Sequence, residues 1–100
     1  MANNQRDGFL GWSRFELHFP FAHSLKEKRS ILHSVKDKLK SRTGASIAEV
    51  GETEHWQTAT LVCAIVANDS ARIEEVWREQ LAILQSQNDL QIVAADKQWR

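Results

Sequence analysis

A chain of 100 residues, 42% apolar, 26% charged and with net charge zero, can bury one core without metal or disulfide staples and has no room for a second domain. A single cysteine, Cys63 in the run TLVCAIVA, excludes a disulfide framework and reads as a small buried hydrophobe in a reducing compartment. The longest apolar run, residues 61–67, falls far short of the ~20 residues a membrane helix needs, and the opening MANNQRDG lacks a signal-peptide core, so a cytoplasmic protein is expected.

Residues 1–7 are polar and patternless and are expected to form a disordered leader or an expression remnant, leaving residues 8–100 as the domain. Residues 8–19, GFLGWSRFELHF, alternate, with Phe15, Leu17 and Phe19 on one side and Trp12, Arg14, Glu16 and His18 on the other, which predicts a half-buried strand. Pro20 ends it. Ser24 and Glu27 then form an S-x-x-E capping box that opens a helix over residues 25–42, with Leu25, Ile31, Leu32, Val35 and Leu39 on its apolar face and Gly44 as its stop. Residues 45–52 read as a second strand and GETEH as a turn, with Trp56 placed to anchor the hairpin. Residues 56–67 form a third, central strand.

Asn68, Asp69 and Ser70 are candidate caps for a second helix, which runs to about residue 87 on the stripe Ile73, Val76, Trp77, Leu81 and Leu84. Residues 90–96 alternate again as the last strand. The order β-α-β-β-α-β predicts an α+β, ferredoxin-like fold, a four-stranded antiparallel sheet with both helices packed on one face. The other sheet face, carrying Arg14, Glu16, His18, Val62, Ala64 and Val66, is left to solvent or a partner.

Charge is segregated along the chain. Residues 24–42 hold seven cations against two anions, a local +5, and the remainder of the neutral chain holds −5. Lys26, Arg29, His33, Lys36 and Lys40 follow the spacing i, i+3, i+7, i+10 and i+14, a single helical stripe. That row is ~21 Å long, a length suited to tracking several phosphates, and it is expected roughly opposite the apolar face. A solvated face explains part of this pattern, since lysine and arginine are good helix formers, but a purely solubilising face would mix signs. Lys28 lies near the head of the row, and with Lys26, Arg29 and the first-turn N–H groups it could seat one anion.

Chemistry is poorly supported elsewhere. His18, His23, His33 and His55 show no metal-ligand spacing, so no metal and no cofactor are expected. There is no glycine-rich phosphate loop and no nucleophile elbow, and PFAHSLKEKR does not match the loop of the small acylphosphatases that share this element order, so no catalytic residue is assigned and a non-enzymatic chain is expected. The run TATLVCAIV lacks the aromatic pattern of RNA-reading sheets.

The stretches RFELHFPFAHSLKEKRSIL, SIAEV and HWQTA, with ND before the second helix, resemble the YlxP-like family of small bacterial proteins of unknown function. The resemblance covers residues 9–96 and implies a ferredoxin-like fold and a cytoplasmic protein often encoded beside ribosome-maturation and translation-initiation factors. It implies no activity. Its motif positions, of unassigned role, include Arg14, Glu16, Ser24, Glu27, Glu49, Trp56 and Gln57, together with the basic residues of SLKEKR. The chain departs from the pattern in its extra N-terminal residues, at Thr58, where relatives tend to be basic, and at Gly44–Ala45, where an aromatic is common.

Two functional expectations follow. The first is an RNA- or ribosome-associated binding module that contacts ribosomal RNA or a ribonucleoprotein through Lys26, Lys28, Arg29, His33, Lys36 and Lys40. The second is a homodimeric interaction or regulatory module acting through the open sheet face, with the basic ridge serving only solubility.

Overall fold

The alternation at the start of the chain becomes a ten-residue strand, β1 (Phe9–His18), in the computed structural model, which describes residues 8–99. The expected leader, residues 1–7, lies outside the described residues. Helix α1 (Leu25–Thr43), strands β2 (Ser46–Val50) and β3 (Thr58–Ala67), helix α2 (Ser70–Gln85) and strand β4 (Gln91–Trp99) complete the β-α-β-β-α-β order. The four strands form one antiparallel sheet in the order β2-β3-β1-β4, so the fold is the ferredoxin-like sandwich expected, and β3 is central.

Local chemistry sets the element ends. The Ser24 side chain accepts from the Glu27 N–H at 3.1 Å, while the Glu27 carboxylate reaches back to the His23 N–H at 3.2 Å, one residue beyond the usual box partner. Gly44 closes α1 with φ 74°, and its N–H donates to Lys40 O. Asp69, of the three candidates, caps α2 by accepting from the Ala71 N–H.

The core lies between the sheet and the helices. Phe15, Leu17, Leu61 and Cys63 from the sheet meet Leu32, Val35 and Leu39 of α1 and Ile83 and Leu84 of α2. Trp77 stacks on Phe15 with ring centroids 5.3 Å apart. Nearer the start of β1 the inward row turns small and polar. Gly11 leaves room for Ile73, and Ser13 donates to Gln80 Oε1 at 2.8 Å inside the core, a pair not expected from the sequence. Beside them lies a void of about 20 Å³, room for about one water. The last strand extends to Trp99, three residues past its expected end at Asp96, because Trp99 finds an edge-on partner in Phe9 at 5.4 Å.

Candidate nucleic-acid interface

Helical phase decides which cations of α1 reach water. The residues buried on α1 are Lys28, Leu32, Val35, Leu39 and Thr43, so Lys28 projects with the apolar stripe and not with the ridge. Its side chain is fully buried. The ammonium donates to Glu49 Oε2 at 3.3 Å, Thr53 O at 3.0 Å and Thr58 O at 3.1 Å, which accounts for all three of its protons. Lys28 is therefore withdrawn from the polyanion-binding set, and with it the first-turn anion seat that counted on its charge. Glu49 shares the inward face of β2 with Ile47, which is how the carboxylate meets Lys28 under the helix.

The remaining row stands, but not where the sequence placed it. At about 100° per residue, Lys26, Arg29, His33, Lys36 and Lys40 centre roughly 110° around α1 from the buried stripe. Opposite the core are Ser30, Ser34, Asp37 and Ser41. Lys38, on the other flank, donates to Gln87 Oε1 just beyond α2. The cationic row thus runs along the β2 side of the domain, and Lys36 is only half exposed because it sits on a flank.

The row is also less free of acids than its own composition implied. Arg29 lies 3.8 Å from Glu54 in the loop of residues 51–57, with both side chains more than 60% exposed, and His33 lies 3.4 Å from Asp37. Ion pairs this exposed contribute little. Lys26, Lys36 and Lys40 make no ion pair among the described residues.

The motif residues outside the ridge mostly build the frame around its head. The Phe19 N–H donates to Gln57 O at 2.8 Å, and Gln57 Nε2 donates to Ala22 O at 3.2 Å, so the residue leading into β3 is stitched to the turn between β1 and α1. With Lys28 holding the carbonyls of Thr53 and Thr58, the loop of residues 51–57 is fastened from two sides. Trp56 does not anchor it, contrary to expectation: the indole is 49% exposed and lines a surface recess of about 410 Å³ with Glu54, His55, Gln57 and Thr58. The anchor is Lys28, which helical phase could have revealed.

On the open sheet face Arg14 pairs with Glu16 at 2.9 Å along the same strand, and both are partly exposed. His18 faces Gln91. The Cys63 thiol is pushed up to about 11 by burial, with the neighbouring Ser13 side chain pulling the other way, and it lies out of reach of solvent in the core. No group of three or more metal-ligating side chains comes together among the described residues, and no helix there is long and apolar enough to cross a membrane.

Fold and surface together define a small α+β sandwich protein with a cationic helix flank and a fastened loop at its head. Residues 10–97 match the family described as "Protein of unknown function (DUF503)", and the chain belongs to that family. It is similar to the uncharacterized protein YlxP of Bacillus subtilis (strain 168), at 26% identity over 90 residues that cover 90% of this chain and 98% of that protein. The YlxP-like resemblance read from the motifs is thereby shown.

Among solved structures, the chain is similar to SnoaB, a cofactor-independent oxygenase from Streptomyces nogalater, with TM-score 0.48 and 7% identity, covering 93% of this chain and 91% of that one. A point mutant of the same protein gives TM-score 0.46 and 10% identity, covering 94% and 91%. The expectation of a non-enzymatic chain is corrected by this finding: the matched structures are those of an enzyme, and a missing sequence motif excludes no catalysis. The likeness concerns the fold alone and transfers no activity.

Proposed function

We propose that this protein binds RNA, with ribosomal RNA or a ribonucleoprotein as the partner, through the β2-side flank of α1. The observation that carries the reading is the row of exposed Lys26 and Lys40 with half-buried Lys36 between them, all without ion-pair partners among the described residues, and with Arg29 held only by an open, exposed pair to Glu54. Four such cations on one helix flank form a rail for phosphates, and a phosphate would compete with Glu54 for Arg29. A cytoplasmic setting belongs to the same reading, since the buried Cys63 needs no oxidising compartment.

The test is co-sedimentation with ribosomal subunits, and binding to isolated RNA, over a salt series. Four phosphate contacts on a single strand give a log–log salt slope of about −3, and the Lys36→Glu, Lys40→Glu double variant flattens it by at least ~1.4 while thermal stability stays unchanged. Binding that ignores salt refutes the reading.

A second reading is favoured by the apolar side chains on or bordering the open sheet face, where Val66 is 76% exposed, Val93 67% and Leu10 46%. A homodimer through this face would cover them, and the mixed signs of Arg14 and Glu16 complement themselves about a two-fold axis. Sedimentation of Val62→Asp against the parent chain decides it, with a monomeric parent refuting dimerisation.

A further inference from the structure

The loop at the head of the cationic row presents what a phosphate rail alone does not need. Trp56 is 49% exposed and Phe21 is 68% exposed, two large aromatics facing water on the two segments that the Gln57 bonds stitch together. Neither packs in the core. A tryptophan left in water on a free loop would ordinarily fold back onto apolar surface. Here the backbone on both sides of Trp56 is tied down, by Lys28 at Thr53 O and Thr58 O and by Phe19 at Gln57 O. The main chain that carries the indole is thus held in place, which lowers the ordering cost to an arriving ligand.

The recess that Trp56 lines, at about 410 Å³, is open to water. Its walls combine one aromatic face with the polar groups of Glu54, His55, Gln57 and Thr58. Arg29, through Glu54, joins this recess to the row continuing through Lys36 and Lys40. A flat π surface beside a cationic track is the pairing used to hold single-stranded nucleic acid, in which the bases are free to leave their own stack. A duplex keeps its bases inside and offers the recess nothing.

We propose that Trp56 is a stacking platform for an unpaired base of single-stranded RNA, whose neighbouring phosphates run from the recess onto Arg29 and Lys26 and along α1. This deepens, and rests on, the reading of that flank as an RNA-binding surface. Glu54 is the opposing charge at the junction, and Phe21 stands on the adjoining turn.

The experiment measures binding of a labelled oligouridylate of about twelve nucleotides, and of a duplex of equal length, to the parent chain, Trp56→Ala, Trp56→Phe and the Lys36→Glu, Lys40→Glu variant. Trp56→Ala is expected to weaken single-strand binding roughly five- to a hundredfold with no change in salt slope and little effect on the duplex. Trp56→Phe is expected to restore much of the loss, and the circular dichroism and melting of both variants to match the parent. If Trp56→Ala binds like the parent while the double lysine variant still weakens binding, the stacking platform is overturned and the phosphate rail stands. If the parent shows no salt-dependent RNA binding, the rail itself fails and the platform with it.

Discussion

Replacing Lys28 by methionine removes one ammonium and keeps nearly the whole apolar stem, so it isolates what three hydrogen bonds inside the domain contribute. The ammonium holds Glu49 Oε2, Thr53 O and Thr58 O at 3.3, 3.0 and 3.1 Å, and its side chain is wholly shielded while that of Glu49 keeps 18% exposure. Taking one partner from a buried ion pair costs about 3–5 kcal/mol, because the other charge stays behind uncompensated. Glu49 can draw some water through its exposed edge, which places the loss near the lower end, at about 3 kcal/mol. In a domain of 100 residues that corresponds to a fall in Tm of roughly 12–24 °C. Against a total stability of ~5–15 kcal/mol the protein stays folded at low temperature. Adding Glu49→Leu removes the stranded carboxylate and should recover about 1–2 kcal/mol, short of the parent because two carbonyls still lack their donor. Urea unfolding at constant m-value measures both steps. A Lys28→Met variant within about 0.5 kcal/mol of the parent would refute the role of Lys28 as anchor.

Gly11→Ala should cost about 1–3 kcal/mol by overpacking, since a Cβ there would lie 2.5 Å from Ile73 Cγ2, and most of that penalty should vanish in an Ile73→Ala background when the two are compared in a double-mutant cycle. Burial raises the Cys63 pKa from 9.0 to about 11, so its contribution is fully present below pH 9 and is lost as pH rises through 11, when the unfolded thiol ionises and the folded one resists. The loss is on the order of 2–3 kcal/mol, and urea unfolding from pH 8 to 11 should show a shallower alkaline decline for Cys63→Ala than for the parent.

The parts legible in the sequence were those written in short-range periodicity. Alternation separated Phe15 and Leu17 from Arg14, Glu16 and His18, and the caps at Ser24, Asp69 and Gly44 fixed where the helices start and stop. Lys28 was legible too, lying three residues after Leu25 and four before Leu32, on the apolar face; its charge hid its phase. Glu49 is the same case on a strand, two residues from the inward Ile47. What local pattern could not supply is which flank of α1 turns toward α2 and which toward β2. That is set by the handedness of the crossover and by packing, whereas the row's place on the side of the helix, not its crest, follows from about 100° per residue and was open to the sequence. The stitch from Gln57 to Ala22 spans 35 residues, so no window of sequence shows it.

Lys28 also joins the stability of the domain to its candidate site, in a way that separates it from its neighbours in SLKEKR. Lys26 and Arg29 lie outside, where removing either deletes a charge from the proposed phosphate track and should flatten the salt slope by ~0.7. Lys28 adds no charge to that surface; it holds the carbonyls that bracket Trp56. A folded Lys28→Met protein, assayed in the cold, should therefore keep the parent's salt slope yet lose affinity for single strands toward the level of Trp56→Ala, because the platform has come adrift while the rail is intact. A flattened slope would place the Lys28 charge among the phosphates after all, which the burial of its side chain forbids.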